Sequence, residues 1–447
     1  MEKWAGVILA AGQGVRMKSR TPKVLHRVCG KEMIRYPVDL LHQSGIKLIV
    51  VVVSPLNAGA IREVLGDDVE YVTQPEVLGT ADAFSRAWEM VKGRVEHVIM
   101  QGGDAPLVRL ESIKRLMDCH TVQKHQMTIL TGVEVATQDL GRVVRDEAGR
   151  VTAIIEAADW TGETGVPTEV NSGVYCFDAS WVSDKLTTIQ PSERGEKYLT
   201  ALASAGDDAS IKGVIVSDST EMLGVNNRLQ MSQVEAIQRQ RIREQWMFAG
   251  VTMTDPASVF IDADVQIGQD TVILPNTMVL GASCVGERCE IGPNSVIKNS
   301  NLGDDCRVTA SVLESSTLES NVNMGPFSHL RPGSYLESGV HIGNFVEVKN
   351  SRLGAGAASG HFTYLGDASI GAKVNIGAGT VTCNYDGKDK HVTVVGAGAF
   401  IGCDTMLVAP VTVGPDAVTG AGSVVTKDVP RGKLAIGIPA KIMSKKE

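Results

Sequence analysis

The chain has 447 residues, a formal net charge of −8 and eight scattered cysteines. Its length predicts two domains. Because no two cysteines form a C-x-x-C pair, we expect neither a zinc site nor a disulfide framework. The acidic balance excludes a chain-wide basic surface for nucleic acid or an anionic membrane, and no apolar run approaches the ~20 residues that span a bilayer. With no signal-peptide pattern before the first strand, we expect a cytoplasmic protein that binds neither nucleic acid nor membrane.

Residues 1–228 show the alternation of strands and helices that is typical of an α/β domain. Apolar strands are predicted at residues 6–10, 48–53 and 98–100, and a helix at residues 37–44. Strands that are apolar along their whole length are covered on both faces. A parallel-rich sheet between layers of helices is therefore expected.

A helix is predicted after this domain, because residues 228–248 contain neither Gly nor Pro and are rich in Gln, Arg and Glu. We assign residues 229–249 as a linker helix between two domains. The second domain is then residues 250–447.

The second domain repeats an aliphatic residue followed by Gly from about Val259 onward. Its most regular stretch places aliphatic residues at an unbroken spacing of six: Ile261, Ile267, Ile273, Val279, Val285, Ile291 and Ile297. This period fits neither a helix nor a long strand, but it fits a triangular prism with one inward side chain per face. Gly, Asn or Asp would turn the chain at each corner. We predict about ten stacked coils of about 18 residues each.

A glycine-containing loop, Leu9 to Met17, follows the first strand, and Pro22-Lys23 comes shortly after it. Small residues let backbone N–H groups approach a nucleotide closely, and Arg16 and Lys23 supply positive charge. The loop lacks the full sequence patterns of a P-loop and of a dinucleotide-binding loop, so these two kinds of nucleotide site are excluded.

The complete string, Leu-Ala-Ala-Gly-x-Gly-x-Arg-Met followed by Pro-Lys, resembles the fingerprint of sugar nucleotidyltransferases. Joined to a hexapeptide-repeat half, the chain is similar from Gly6 to Pro439 to the family of bifunctional N-acetylglucosamine-1-phosphate uridylyltransferases/glucosamine-1-phosphate acetyltransferases. The resemblance implies an α/β Rossmann-like nucleotidyltransferase domain joined by a long helix to a left-handed parallel β-helix. It also implies a homotrimer formed through the β-helix.

Two successive reactions are implied by the same resemblance. Glucosamine 1-phosphate is first acetylated with acetyl-CoA. The product then receives UMP from UTP in a Mg²⁺-dependent step, which yields pyrophosphate and UDP-N-acetylglucosamine, a precursor for cell wall and lipopolysaccharide.

The resemblance also implies which residues bind the nucleotide and the sugar. These are Leu9, Ala10, Ala11, Gly12, Arg16, Lys23, Gln74, Gly79, Thr80, Gly103, Asp104, Gly141, Glu156, Asn171 and Asn226. Asp104 follows a strand at the carboxyl edge of the predicted sheet, where α/β folds bind ligands, and with Asn226 it would hold Mg²⁺. A helix N-cap is the alternative role for Asp104. Val15 stands where the family commonly has Thr or Ser, so a hydroxyl is lost there.

Polar and basic residues interrupt the repeat in two places, between Leu302 and Ile342 and again after Ile376. We expect insertions there, with side chains that line an outer groove. His361 is the residue in this region that could deprotonate an amine near neutral pH. By resemblance it is the catalytic base. The resemblance also assigns Arg331, Lys349, Tyr364, Asn375 and Lys390 to the amino-sugar phosphate, and Ala378, Asn384, Tyr385, Cys403 and Ala421 to acetyl-CoA.

The sequence departs from the family pattern in two further places, and two alternative functions remain open. Cys403 stands where Ser is common, and residues 435–439 lack an Arg that some family members use for CoA, so Lys441 or Lys433 would have to replace it. One alternative is a single-activity NDP-sugar pyrophosphorylase whose β-helix regulates or oligomerises. The other is a catalytically silent assembly subunit with the same two folds.

Overall fold

The computed structural model describes residues 2–134, 140–160, 168–192, 195–206 and 210–444. The chain divides into two compact units, Met1–Gln238 and Arg239–Glu447. The domain limits at residues 228 and 249 stay a prediction. Within the described ranges, we find no helix whose length and apolar character would let it cross a membrane.

The first unit alternates strands and helices. Its described strands are β1 (Glu2–Leu9), β2 (Arg27–Val28), β3 (Lys31–Glu32), β4 (Leu48–Val53), β5 (Glu70–Thr73), β6 (Val95–Gly102), β7 (Met127–Glu134), β8 (Arg142–Arg145), β9 (Val151–Ile155), β10 (Thr168–Asp178) and β11 (Ile211–Ile215). The helices are α1 (Arg35–Gln43), α2 (Ala58–Leu65), α3 (Thr80–Val91), α4 (Leu110–Val122), α5 (Ala179–Lys185) and α6 (Arg228–Phe248), whose last part belongs to the second unit. Short 3₁₀ turns span Val15–Met17, Lys23–Leu25, Leu186–Thr188, Leu199–Ser204 and Ser219–Met222.

The central sheet has the strand order β11-β7-β10-β6-β1-β4-β5. β1 pairs in parallel with both β4 and β6, whereas β10 runs antiparallel between β6 and β7. The chain proceeds outward from β1 to β4 and β5 and then returns to β6 on the other side of β1. This reversal of strand order creates a crevice at the carboxyl ends of β1 and β6, which is where such sheets bind ligands.

The sequence predictions for this unit are confirmed at the level of elements. β4 has the predicted bounds, and all six of its residues are buried, as expected for a strand covered on both faces. The predicted helix at residues 37–44 is α1, and the Gly- and Pro-free segment is α6.

The second unit is a stack of short strands. They are β12 (Thr252–Met253), β13 (Phe260–Ile261), β14 (Gln266–Ile267), β15 (Val272–Ile273), β16 (Met278–Leu280), β17 (Cys284–Val285), β18 (Glu290–Ile291), β19 (Val296–Lys298), β20 (Asn301–Leu302), β21 (Arg307–Val308), β22 (Val312–Glu314), β23 (Thr317–Leu318), β24 (Asn323–Met324), β25 (His329–Leu330), β26 (Tyr335–Leu336), β27 (His341–Lys349), β28 (Arg352–Leu353), β29 (Ala358–Gly366), β30 (Ala368–Ile370), β31 (Asn375–Ile376), β32 (Val381–Cys383), β33 (Thr393–Val395), β34 (Phe400–Ile401), β35 (Met406–Val408), β36 (Val411–Val413), β37 (Val418–Thr419), β38 (Val424–Val425), β39 (Lys433–Gly437) and β40 (Ala440–Ser444). A 3₁₀ turn spans Pro256–Ser258.

These strands form the three faces of a prism, each made of parallel strands one coil apart. Face A contains β12, β15, β18, β21, β24, β31, β34, β37 and β39, face B contains β13, β16, β19, β22, β25, β32, β35 and β38, and face C contains β14, β17, β20, β23, β26, β28, β30, β33 and β36. The long strands β27 and β29 bend around the corner between faces A and B, and β40 folds back antiparallel on β39.

Aliphatic side chains fill the interior of this prism. All seven residues of the regular series from Ile261 to Ile297 are buried, with at most 6% of each exposed. Ile261, Val279 and Ile297 pair with one another in successive coils of face B. The predicted period of six is therefore confirmed as one inward residue per face.

The corners follow the prediction in part, because Arg288, Ala310, Ser315 and Lys373 adopt positive φ although they are none of the three predicted types. Many corner residues with positive φ are Gly, Asn or Asp, such as Asn276 and Asp305. Phe327, Phe345 and Phe362 also adopt positive φ, which bulky residues rarely do. Their exposed rings stack in three consecutive coils, with centroids 5.5 and 5.1 Å apart. Contact between neighbouring rings offsets part of the unfavourable backbone energy.

The expectation of an insertion between Leu302 and Ile342 is wrong. Leu302 pairs with Leu318, and Leu318 pairs with Leu336, so the coils continue through this region. The aliphatic-Gly signature lapses because inward residues here, such as Leu313 and Leu318, are buried but are not followed by Gly. The second expected insertion, after Ile376, is present as the loop between β32 and β33.

The imidazole of His120 is fully buried in the first unit. His120 is 0% exposed, its Nδ1 lies 2.9 Å from the Thr128 hydroxyl, and its ring packs edge-on against His97. Burial, followed by the neighbouring His97, lowers the pKa of His120 to about 3.

We predict that the first unit loses stability as the pH falls below about 6.5. Because the pKa of His120 is lower in the folded state, the unfolded chain binds the proton first, at up to about 1.4 kcal/mol per pH unit. His120→Gln keeps a polar group near Thr128 and should remove about 1.4 kcal/mol of the loss between pH 7.5 and 5.5, measured by denaturant unfolding. His42→Gln, at an exposed position of α1, is the matched control. An unchanged pH dependence in His120→Gln would contradict the prediction.

Candidate functional site

The loop after β1 lies open at the crevice between β1 and β6. Gly14 has a φ of 63°, and a Cβ there would lie 2.6 Å from the Lys23 Cβ, so glycine allows the loop to approach Lys23. The Ala10 carbonyl accepts a hydrogen bond of 2.8 Å from the Asn57 amide. Leu9 and Ala11 flank Ala10, while Gly12 and Arg16 are exposed. The loop is anchored at its base and accessible at its tip.

Lys23, Asp104 and Asn226 meet at this crevice. The Lys23 ammonium forms an ion pair with the Asp104 carboxylate and donates a hydrogen bond of 3.1 Å to the Asn226 side-chain oxygen. Backbone hydrogen bonds connect the same segments: the Gly103 N–H donates to the Leu9 carbonyl, and the Val225 N–H donates to the Asp104 carbonyl. Three segments far apart in the sequence are thereby brought together.

The oxygens of Asp104 and Asn226 suit a hard divalent cation. The side-chain oxygens of both residues accept hydrogen bonds from the Lys23 ammonium, so the pair is arranged to bind a positive charge. Mg²⁺ characteristically takes one or two protein oxygens and completes its shell with water and substrate phosphates. The described residues contain no cluster of three His, Cys, Asp or Glu side chains for a metal held by protein alone.

A second group of predicted residues lies at the start of α3. The buried Gln74 amide donates to the Gly79 carbonyl at 3.2 Å and to the Asp82 carboxylate at 2.8 Å. Gly79 has a φ of 104°, and a Cβ there would lie 2.4 Å from the Lys197 carbonyl oxygen. The Thr80 hydroxyl accepts from the Leu199 N–H at 3.0 Å. The three predicted residues therefore belong to one contact network.

Gly141 and Asn171 are adjacent, and Glu156 lies near them. The Asn171 N–H donates to the Gly141 carbonyl at 2.9 Å, and its side-chain amide donates to the Tyr175 hydroxyl. Burial raises the pKa of Tyr175, the Asn171 hydrogen bond opposes the rise, and the Glu156 charge adds to it. The Glu156 carboxylate in turn accepts from the Thr200 hydroxyl at 2.5 Å.

The sequence predictions missed Tyr175 and Thr200. Tyr175 lies four residues after Asn171 in β10, so the period of two along a strand would have placed both on one face. Thr200 is part of a separate 3₁₀ turn, and no local pattern connects it with Glu156.

In the second unit, His361 begins a column of predicted residues at the corner between faces A and B. Gly379 donates its N–H to the Phe362 carbonyl, Asp404 donates to Ala378, and Gly422 donates to Cys403. The residues that occupy the same corner position in four successive coils are His361, Ala378, Cys403 and Ala421. The predicted base and three predicted acetyl-CoA residues thus share one exposed edge.

Three cations gather at the end of face B, where Arg331 follows β25, Lys349 ends β27 and Lys390 belongs to the loop after β32. Arg331 forms an ion pair of 2.9 Å with Glu347, and Glu347 pairs in register with Tyr364 in the next coil. Contact with Lys390 is the largest cause that lowers the pKa of Lys349, with smaller contributions from burial and from Arg331. Such crowding of like charges favours the binding of an anion.

Not every predicted residue joins this group. Asn375 lies on face A, where it pairs with Ala358 and Phe400, so its outward direction differs from that of the face B residues. Asn384 and Tyr385 begin the loop after β32, and the Tyr385 side chain is 60% exposed. Lys441 lies opposite Ile436 in the hairpin of β39 and β40, and Lys433 contacts Ser444 at 3.5 Å.

Comparison with known proteins agrees with both halves of this description. Residues 5–212 match a family model described as nucleotidyl transferase, and residues 264–299 match one described as bacterial transferase hexapeptide, with six repeats. Proteins named "Bifunctional protein GlmU" are similar over 98% of the chain. The one from Heliobacterium modesticaldum is 44% identical over 96% of its own length, and those from a Geobacillus species and Fervidobacterium nodosum are 43% and 45% identical over 95% of theirs. The chain therefore belongs to the bifunctional GlmU family, and it joins a Rossmann-like nucleotidyltransferase domain to a left-handed parallel β-helix of hexapeptide repeats.

Proposed function

We propose that the two activities of this bifunctional transferase are divided between its two units. The second unit acetylates glucosamine 1-phosphate with acetyl-CoA, and the first transfers UMP from UTP to the product, which gives UDP-N-acetylglucosamine. The observation that carries the proposal is that each unit has its own polar residues, Lys23 with Asp104 and Asn226 in the first, and the exposed His361 together with a cluster of cations at the end of face B in the second. A single-activity pyrophosphorylase would need only the first.

In uridylyl transfer, a phosphate oxygen of N-acetylglucosamine 1-phosphate attacks the α-phosphorus of UTP and expels pyrophosphate. All reacting groups are anionic, so positioning and charge neutralisation dominate catalysis. Arg16 and Lys23 would contribute positive charge, and backbone N–H groups of the loop would contact the phosphates. Mg²⁺, held by Asp104 and Asn226, would supply the remaining neutralisation.

The binding of base and sugar is assigned to the two remaining networks of the first unit. By family resemblance, Gln74, Gly79 and Thr80 would contact the uracil and the neighbouring part of the nucleotide, and their convergence at the start of α3 supports a common role. Gly141, Glu156 and Asn171 would contact the sugar, supported by Tyr175 and Thr200.

In acetyl transfer, the neutral amine of glucosamine 1-phosphate attacks the thioester carbonyl of acetyl-CoA. A C–N bond forms, the C–S bond breaks and CoA leaves as the thiol. His361 would accept a proton from the ammonium form of the substrate, since only the unprotonated amine is nucleophilic, and the second proton that the nitrogen loses after attack would go to the CoA sulfur. Arg331, Lys349 and Lys390 would bind the phosphate, with Arg331 able to offer a two-pronged grip.

A homotrimer of β-helices is part of the proposal. Asn375 on face A diverges from Lys349 and Tyr364 on face B, so a site that uses all three would need face A of one copy beside face B of another. Flat prism faces and the exposed stack of Phe327, Phe345 and Phe362 are suited to such packing. We also propose that the enzyme acts in the cytoplasm, where acetyl-CoA and UTP are available.

The direct test is product analysis with glucosamine 1-phosphate, acetyl-CoA, UTP and Mg²⁺, with each component omitted in turn. We expect N-acetylglucosamine 1-phosphate to accumulate without UTP, and UDP-N-acetylglucosamine to form only when all four are present. UDP-sugar formation from supplied N-acetylglucosamine 1-phosphate, without any acetylation, would instead support the single-activity alternative.

Asp104→Asn should greatly reduce uridylyl transfer and leave acetyl transfer unchanged. A neutral amide binds Mg²⁺ more weakly than a carboxylate, so the Mg²⁺ concentration for half-maximal rate should rise, and EDTA should inhibit the same activity selectively. Uridylyl transfer is measured against Mg²⁺ concentration, with acetyl transfer of the same preparation as control. Equal sensitivity of both activities to EDTA would contradict this assignment.

His361→Ala should lower acetyl transfer by about 10²- to 10⁴-fold at pH 7, the usual contribution of a general base. The deficit should shrink at higher pH, because more of the amine is then already neutral in solution. The pH profiles of both activities are compared in wild type and variant, and uridylyl transfer serves as the internal control. Near-normal acetylation at pH 7 would mean that His361 has a structural role.

A further inference from the structure

Asp367 contacts both ends of the loop between β32 and β33, the segment that we call the acetyl-site loop (residues 384–392). Its carboxylate accepts a hydrogen bond from the Asn384 side-chain amide at the beginning of the loop. Its backbone carbonyl accepts from the Thr393 N–H, where the chain re-enters face C, at 3.2 Å. One corner residue therefore contacts the chain at both ends of the inserted loop, through its side chain at the beginning and through its backbone at the end.

The chemistry of this corner requires a carboxylate. The two oxygens of Asp367 accept from two amides, Asn384 in the loop and Asn350 one coil earlier, the latter at 2.6 Å. Burial disfavours the charged form, but these two hydrogen bonds and the charges of Lys390 and Lys349 outweigh it, so the pKa of Asp367 lies below its ordinary value. An asparagine has only one side-chain oxygen and would direct its own N–H groups at one of the donors.

The acetyl-site loop is held together by its own hydrogen bonds. The His391 N–H donates to the Asn384 carbonyl at 2.8 Å, Tyr385 and Lys390 form an isolated backbone bridge, and Asp386 accepts two backbone N–H groups at 2.8 Å. A loop with this many internal contacts moves as a body. Fastening Asn384 therefore orients Tyr385 and Lys390 as well.

Asp367 also carries a negative charge beside the cations of face B. It opposes the combined effect of Lys390, burial and Arg331, which together lower the pKa of Lys349. Asp367 and Lys390 line one cavity of about 340 Å³ together with Asn350. The carboxylate thus acts on both the position and the charge of groups that we assign to the acetyl-acceptor site.

We propose that Asp367 is a positioning residue for acetyl transfer, which orients the acetyl-site loop through Asn384 and places a negative charge beside the cations assigned to the substrate phosphate. The proposal rests on the acetyltransferase function assigned to this unit. Asp367 acts through its neighbours and needs no contact with the reacting atoms.

The test compares Asp367→Asn with wild type in the full-length chain. We expect acetyl-transfer kcat/KM for glucosamine 1-phosphate to fall by about 10- to 100-fold, the range for a lost charge-assisted hydrogen bond. The alkaline limb of its pH profile should also move to lower pH, because Lys349 would lose its proton more readily without the nearby carboxylate. A mere decrease in the folded fraction would lower the rate without shifting the profile.

Two further variants complete the design. Asp305→Asn is the matched control, because Asp305 is also a corner aspartate with positive φ, bound to Arg288 at 2.9 Å in earlier coils. It should leave acetyl transfer and its pH profile unchanged. If Asp367 acts through Asn384, the double variant Asp367→Asn/Asn384→Ala should be little worse than Asn384→Ala alone.

The outcomes separate this inference from the function on which it rests. If the wild-type chain does not acetylate glucosamine 1-phosphate, the proposed function fails. If it does, and Asp367→Asn has a normal rate or an unshifted profile, the positioning role is wrong. Losses that add fully in the double variant would equally overturn the coupling through Asn384.

Discussion

The pairing of parallel strands is the constraint on which both units of this chain depend. Parallel neighbours cannot be joined by a tight turn, so the chain must leave the sheet and return before the next strand pairs. In the first unit, this brings the ends of β1 and β6 side by side, although the residues that follow them, Ala10 and Gly103, are far apart in sequence. In the second unit, it stacks equivalent positions one coil apart, which aligns His361 with Ala378. Each site is a consequence of that alignment.

Local charge matters more than total charge in this molecule. The chain as a whole is acidic, with a formal net charge of −8. Nevertheless, Lys23 lies at the crevice of the first unit, and Arg331, Lys349 and Lys390 gather on one side of the second. Acidic partners, Asp104 for Lys23 and Glu347 for Arg331, hold two of these cations in place before a substrate arrives. Pre-oriented charge of this kind is effective in binding phosphates because little rearrangement is needed when they enter.

The sequence predicted the fold correctly at positions where a single physical requirement restricts the choice of residue type. Inward positions of the prism must be aliphatic, so the spacing from Ile261 to Ile297 predicted the coil, and the apolar run of β4 predicted a strand buried on both faces. The pattern became misleading after Leu302, because residues such as Leu313 and Leu318 fill the same interior without a following Gly. Resemblance to a family supplied most of the site residues. Thr200 and Asp367 were missed because their roles arise from contacts across turns and coils, which no local pattern encodes.

The acetyl-site loop has a further consequence for how the β-helix can vary. The coil from Ile370 to Val395 is about 25 residues long, whereas the next one, from Val395 to Val413, is about 18, yet the pairing register is the same on both sides. Lengthening a closed loop by this amount costs only about 0.3 kcal/mol of chain entropy. A corner of the prism can therefore gain or lose several residues with almost no penalty to the stack, provided that the inward residues keep their positions. Insertions at corners give this scaffold an inexpensive route to new binding loops, while changes within a face would disrupt every coil that follows.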